Sequence, residues 1–333
     1  KATAGGWHLS SDVGCGFILL DGITHTYEVT GEASLLPVIR IMIEKFACLD
    51  YVRYNCQTHA VLSGTRGVLR LYRLLREKDL LALAERNFKI YTEYGMTLNY
   101  ANYNWFGKPY WTETCAVVDS LMAAQQLYAD TGERKYLEFL NRCYTNALRV
   151  SQRPNGGAGC ETCLNDGNDC LKNYLYEAYF CCTMRIAEGL YSLGAGGIVH
   201  RDGIVVVPIP LDVEDETLSV RVSETDAGVR ICLRVKQGGK PVFIYVPAHS
   251  RVTGVGANLR GDMLEIPPCG TGEYVFDVEY ADHVEIRQNT EVHMRGDWLM
   301  MIGSRNEHTH RERVRNCLWL PDRKAVEEAE QFV

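Results

Sequence analysis

The chain has 333 residues, 46% of them hydrophobic and 23% charged, with a formal net charge of −7. That is enough apolar material for about two domains, and an acidic balance with no dense Lys/Arg stripe argues against nucleic acid as a partner. No run of about 18 apolar residues occurs, so no membrane span is expected.

The first residues, Lys1 to Gly6, carry neither an initiator Met nor a signal-peptide pattern and read as a processed or truncated end. Apolar residues then recur at helical spacing over 12–29, 33–48, 59–75, 79–94, 115–129, 134–150 and 173–193. A short pattern punctuates these stretches. Tyr27-Glu-Val-Thr-Gly-Glu32 and Tyr128-Ala-Asp-Thr-Gly-Glu133 lie between two helical runs, and Tyr72-Arg-Leu-Leu-Arg-Glu77 is a degenerate copy. Gly suits the left-handed position that ends a helix, and Glu suits the first turn of the next. Repeated hairpins of this size predict a solenoid or a closed (α/α) toroid. Seven helices fill a little over half of a toroid of about six hairpins. Either a missing N-terminal segment or a second copy in a homodimer would complete the ring.

Composition changes at Gly194-Ala-Gly-Gly197. Beyond it, Val- and Ile-rich runs at 204–209, 218–222, 229–235, 242–246, 274–280 and 284–287 are separated by Gly, Asp, Pro and Asn, which predicts an antiparallel β-sandwich. The fold class is therefore α+β, with a toroid over 1–195, a sandwich over 196–303, and a charged tail over 304–333 with a short helix near 322–331. His308-Thr-His310 in that tail reads as a solvated segment.

Thirteen cysteines is an odd and high count. Cys15, Cys48, Cys143 and Cys232 read as small buried hydrophobes. The group Cys115, Cys160, Cys163, Cys170, Cys181 and Cys182 fits metal chemistry in a reducing, cytoplasmic compartment better than disulfides. Glu113 and Cys115, in Trp111-Thr-Glu-Thr-Cys115-Ala-Val-Val-Asp119, would diverge on a regular helix but converge in the loop or first turn before one. Adjacent Cys181 and Cys182 reach one ion only where the backbone is irregular or a helix starts. Three thiolates and a carboxylate are a set that Zn²⁺ accepts in four-coordinate geometry.

These segments, with Asp130-Thr-Gly-Glu-Arg-Lys-Tyr136, Phe180-Cys-Cys-Thr183 and Ala187-Glu-Gly-Leu-Tyr191, resemble the β-L-arabinofuranosidase family of glycoside hydrolases (glycoside hydrolase family 127) over roughly residues 10–300. Asn55-Cys-Gln-Thr-His59 looks like that family's His-containing sugar-binding segment. The resemblance implies a retaining hydrolase acting on a carbohydrate substrate of plant type, with Glu113, Cys115, Cys181 and Cys182 on zinc and Cys181 also the nucleophile. His59, Tyr103, Trp105 and Trp111 would face the sugar, and Asn99, Asn102 and Asn104 would add hydroxyl partners. The chain departs from the family at the general acid. The segment from Met96 to Trp111 contains no carboxylate, leaving Glu93 as the nearest upstream candidate and Glu161, Asp166 and Asp169 as substitutes. Cys160, Cys163 and Cys170 read as incidental loop thiols, as rival ligands or as a second site. Arg185 reads as half of a helix-surface ion pair or as a support for the thiols. Two other readings stay open. One is a non-catalytic carbohydrate-binding or structural subunit with a structural zinc. The other is a metal-free glycuronyl hydrolase or lyase on the same toroid.

Overall fold

The computed structural model describes residues 2–3, 6–7, 14–108, 111–153, 155–162, 173–178, 181–201, 203–256, 258–268 and 270–302. Strands β1 (Ala2–Thr3) and β2 (Gly6–Trp7) pair antiparallel. Four helices follow: α1 (Ile18–Thr30), α2 (Leu35–Ala47), α3 (Thr58–Leu75) and α4 (Lys78–Tyr94). Then come β3 (Trp111–Glu113), α5 (Thr114–Thr131) and α6 (Lys135–Cys143). A π-helical turn over Tyr144–Leu148 leads into α7 (Arg149–Ser151), β4 (Gly159–Thr162), β5 (Asn173–Glu177) and α8 (Cys182–Ala195).

α1, α3, α5 and α8 pack side by side as an inner layer, and α2, α4 and α6 flank it from outside. This is the arc of an (α/α) toroid. Almost every residue of α3 from Thr58 to Leu69 is buried, as befits a helix with neighbours all round. Its polar residues are small or internally bonded; Thr65, for example, donates to the Val61 carbonyl at 2.8 Å. Gly67 lets α1 approach closely, because a β-carbon there would sit 2.7 Å from the Leu20 carbonyl. The repeated Tyr pattern is the device that ends the first three inner helices. Gly31, Arg76 and Gly132 all adopt the left-handed conformation, and their N–H groups donate to the carbonyls of Tyr27, Tyr72 and Tyr128.

Residues 173–177 differ from expectation. They form β5 rather than the start of a helix, because Gly159 and Glu161 of β4 pair with Glu177 and Asn173. Helix α8 begins only at Cys182. Cys143 is buried as anticipated, whereas Cys48 and Cys232 are exposed. His308, His310 and the tail lie outside the described residues, as do Cys163, Cys170, Asp166 and Asp169.

The remaining strands are β6 (Val199–Arg201), β7 (Ile204–Val207), β8 (Val213–Glu214), β9 (Leu218–Glu224), β10 (Gly228–Val235), β11 (Val242–Tyr245), β12 (Arg251–Thr253), β13 (Asn258–Arg260), β14 (Met263–Ile266), β15 (Gly272–Glu279), β16 (Asp282–Arg287), β17 (Thr290–Arg295) and β18 (Trp298–Ile302). Two five-stranded sheets, β12-β15-β10-β9-β8 and β13-β14-β11-β7-β6, share one core that includes Val207, Val220, Ile231, Ile244, Leu264 and Phe276. The sandwich is antiparallel except where β7 runs parallel to β11. Strands β16 to β18 form a separate sheet, and Val292, Met294, Leu299 and Ile302 bury into the helical core instead. Asp297 fastens this junction by accepting from Asn141 at 2.7 Å, Arg142 at 2.7 Å and Tyr245 at 2.8 Å. Among the described residues no helix is long and apolar enough to cross a membrane.

Candidate metal and active site

Four ligand atoms from two distant segments meet where α5 and α8 begin. A carboxylate oxygen of Glu113 and the sulfurs of Cys115, Cys181 and Cys182 all lie within 4.8 Å of one another. The local structure explains how each segment presents two donors. Glu113 is the last residue of β3 and has extended backbone (φ −127°, ψ 123°), while Cys115 is already helical. The change of geometry removes the divergence that a continuous helix would impose on residues two apart. Cys181 precedes α8 in an irregular conformation (φ −137°, ψ −87°), and Cys182 is the first helical residue. The break lets consecutive side chains face one centre.

Hydrogen bonds hold these turns. Asn102 Oδ1 accepts from Thr112 Oγ1 at 2.8 Å and from the Glu113 N–H at 3.2 Å. Gln57 Nε2 donates to Glu113 Oε2 at 3.4 Å, and Cys15 Sγ donates to Gln57 Oε1 at 3.2 Å. The Cys115 sulfur lies 3.4 Å from that of Cys181 and 3.6 Å from that of Cys182. A tetrahedral zinc with bonds of about 2.3 Å sets its sulfurs about 3.8 Å apart, so the donor set fits such an ion in number, chemistry and spacing.

The electrostatics of the cluster suit a cation. Burial pushes the Glu113 carboxyl up to about 7, against the opposing influence of His59. The Cys115 hydrogen bond lowers the Cys181 thiol, but contact with Cys182, burial and the Glu113 charge outweigh it and push it up to about 11. Cys182, receiving hydrogen bonds from Cys115, Cys160 and Cys181, is driven towards the thiolate, and the donor Cys115 is held up by the same contacts. The hydrogen bonds thus favour the thiolate at Cys182, and a divalent cation would favour it at the other two. Cys115 and Cys182 are each 1% exposed, whereas Cys181 is the open member of the set.

Beside the cluster stands a second, fully buried group that sequence reading missed. Asp119, one turn into α5 from Cys115, is 0% exposed. It accepts from His59 Nδ1, Ser63 Oγ and Arg66 Nη1, each at 2.6 Å. Burial would raise its carboxyl, but His59 and Arg66 outweigh that and hold it well below the usual carboxylate range. Arg66 also donates to Glu188 of α8 at 2.9 Å. Arg185 pairs with Glu188 and lies 3.7 Å from Asp119, so the ion-pair reading holds and joins this network. The signal was present in one periodicity: His59, Ser63 and Arg66 are spaced along one face of α3.

The other expected residues fall as follows. His59 is 8% exposed, with Nδ1 committed to Asp119. Tyr103 and Trp105 are half-buried, and the Tyr103 hydroxyl donates to Gln288 at 3.0 Å. Trp111 pairs through its backbone with Thr162; its side chain lies outside the described residues. Asn99, Asn102 and Asn104 are at most 1% exposed; Asn99 donates to the Asn146 carbonyl at 3.1 Å and Asn102 braces β3, so these two serve the loop itself. Glu93, the upstream acid candidate, is not brought to the cluster. The buried face of α4 is Leu80, Ala84, Asn87, Phe88 and Tyr91, and Glu93 lies off it, 46% exposed and 3.7 Å from Lys89.

Residues 100–195 match the family described as beta-L-arabinofuranosidase, GH127 catalytic domain. A GH127 beta-arabinofuranosidase structure superposes with a TM-score of 0.63 at 13% identity over 88% of this chain and 56% of its own. A structure described as a glycoside hydrolase gives 0.61 at 16% over 84% and 59%. A GH127 beta-L-arabinofuranosidase from Geobacillus stearothermophilus T6 gives 0.59 at 12% over 84% and 57%. The chain therefore spans less than two thirds of the length of these structures. No curated protein matches it.

Proposed function

We infer that this chain is a relative of the GH127 β-L-arabinofuranosidases, that it is a retaining glycoside hydrolase acting on plant-type glycans, and that Cys181 is its nucleophile. The observation that carries the reading is the convergence of Glu113, Cys115, Cys181 and Cys182 within 4.8 Å at the entrances of two inner helices. These four would hold a zinc ion. Bound there, the ion would keep the thiols ionised at neutral pH and so supply a deprotonated Cys181.

The Cys181 sulfur then attacks the anomeric carbon, a C–S bond forms and the glycosidic C–O bond breaks. The leaving oxygen takes a proton from a carboxylic acid. Water next attacks the same carbon from the vacated side and gives its proton to that carboxylate. The C–S bond breaks, Cys181 regains its electron pair, and the two inversions give net retention. We assign the acid to Glu161, Asp166 or Asp169, the carboxylates that the sequence offers in the stretch following Cys160. His59, with Nδ1 fixed by Asp119, has Nε2 left for a sugar hydroxyl, and Tyr103, Trp105 and Trp111 would stack on the ring. We place the division between the toroid and the sandwich at 195/196. A thiol cluster of this kind persists in a reducing compartment such as the cytoplasm.

The test is Cys181→Ser assayed on an aryl β-L-arabinofuranoside. The reading expects turnover to vanish while circular dichroism and the melting curve stay as in the wild type. Full activity in that variant would refute the nucleophile assignment. The lack of any carboxylate from Met96 to Lys108 favours a second reading, a carbohydrate-binding subunit with a structural zinc. That reading expects the wild-type protein to bind arabinofuranosides without hydrolysing them.

A further inference from the structure

A fifth thiol stands beside the cluster. Cys160 is the antiparallel partner of Glu113 across β3 and β4. Residues directly opposite each other in such a pair present their side chains on the same face. The register of β4 against β5 shifts between Gly159 and Glu161, so Cys160 sits in an irregularity of the bulge kind that re-aims a side chain. The segment is tied to both helix starts that carry the four ligands. Thr114 Oγ1, beside Cys115, donates to the Gly159 carbonyl at 3.0 Å. Thr183, beside Cys182, accepts from the Ala158 N–H at 2.9 Å and donates to the Ala158 carbonyl at 3.2 Å. The Cys160 thiol also hydrogen-bonds that of Cys182. Four donors converge within 4.8 Å of one another, and Cys160, hydrogen-bonded to Cys182, stands as a fifth just beside them.

The surplus has a use if Cys181 is both ligand and nucleophile, as proposed above and on which this inference rests. A sulfur bonded to an anomeric carbon is a thioether, which is neutral and a weak ligand. Glu113, Cys115 and Cys182 would then be one anionic donor short. Cys115 and Cys182 are buried and cannot be replaced from solvent, so the vacancy opens on the accessible side. We propose that Cys160 is the reserve ligand of this cluster, taking the coordination position that Cys181 vacates in the covalent intermediate. The exchange balances without an oxidant. As the Cys181 electron pair becomes the C–S bond, the Cys160 S–H gives its proton to solvent and its thiolate enters the set. When water releases the sugar, Cys181 returns as thiolate, and Cys160 leaves the set and is reprotonated.

The experiment counts sulfurs by zinc X-ray absorption and measures zinc affinity by competition with a chelator. The samples are the wild type, Cys160→Ala, Cys181→Ala and the double variant. Wild type and Cys160→Ala should both give three sulfurs and one oxygen. Cys181→Ala should also give three sulfurs, with Cys160 now among them. The double variant should give two sulfurs and bind zinc about 10–100-fold more weakly than Cys181→Ala, or more weakly still. Two sulfurs in Cys181→Ala, with the affinity of the double variant, would overturn the proposal. If Cys181→Ala does not fold, the same count on wild-type protein alkylated at Cys181 decides it: three sulfurs from thiolates support Cys160, and two refute it. Failure of the functional reading is distinguishable. It would appear as a wild type that holds no zinc, or as hydrolysis by Cys181→Ala, whatever the state of Cys160.

Discussion

Asp119→Ala tests whether the group beside the cluster is held as tightly as its geometry implies. The wild-type carboxylate takes three hydrogen bonds of 2.6 Å with no exposure to solvent. Removing it strands the Arg66 guanidinium, whose side chain is 4% exposed, together with the His59 ring and the Ser63 hydroxyl. Breaking a buried ion pair by removing one partner costs about 3–5 kcal/mol, because the remaining charge is left uncompensated. Glu188 at 2.9 Å and Asp21 at 3.5 Å still face Arg66, which brings the expectation to the lower end, about 3 kcal/mol. That is a large share of the 5–15 kcal/mol, roughly, that a domain possesses. Asp119→Asn keeps the volume and one acceptor and should cost less than half as much. The folded-state pKa of Asp119 is depressed, so its contribution is present above the ordinary carboxylate pKa and lost only as pH falls through the lowered value. Burial lowers the His59 pKa, but Asp119 outweighs it and raises that pKa, so the Asn penalty should grow as pH falls from neutral through the range where His59 protonates, and should not shrink above about pH 4.5. Urea unfolding followed by circular dichroism measures both variants. A loss below about 1 kcal/mol in Asp119→Ala would refute the argument, since it would mean that Arg66 is compensated or hydrated without Asp119.

Other expectations follow from single contacts. Gly67→Ala should destabilise by about 1–3 kcal/mol because its new methyl meets the α1 backbone, while Gly22→Ala, with nothing within 4 Å, should stabilise by about 0.5–1 kcal/mol; paired chemical melts read both. Asp215 feels burial, which raises its pKa, but hydrogen bonds from Thr217, His200 and Leu218 outweigh it and bring it to about 2. Because that pKa is lowered, the stability lost in Asp215→Asn should be full at neutral pH and fade as pH falls from about 4 to about 2, as unfolding midpoints across that range would record. Saturating zinc at about 100 times its dissociation constant should stabilise the fold by about 2.7 kcal/mol, and a chelator should remove that gain; an unchanged melting temperature on chelation would count against the site.

Much of the helical half was legible because its signals are local. The run over 33–48 became α2 at 35–47, and that over 79–94 became α4 at 78–94, since a period of 3.6 and αL end signals act within a few residues. The donor set was legible for the same reason: two short motifs at helix entrances restrict their own backbones. What escaped depends on pairing between distant segments. Tyr174-Leu-Tyr176 falls in the run read as helical over 173–193, and pairing with the neighbouring β4 makes it a strand instead. Strand β3 spans three residues and exists because Glu161 and Cys160 lie opposite Thr112 and Glu113. Asp119 reads as a polar residue on a helix until α3 supplies His59, Ser63 and Arg66 around it. The departure of β16–β18 from the sandwich rests on Asp297 and its partners from α6 and β11, which no local pattern announces.

The central claim is that four side chains share one ion, and zinc-edge X-ray absorption of freshly purified wild-type protein tests it most directly. The account predicts about one zinc per chain, bound by three sulfurs near 2.3 Å and one oxygen near 2.0 Å. Protein without zinc, or with Cys181 and Cys182 bridged to other sulfurs, would contradict it.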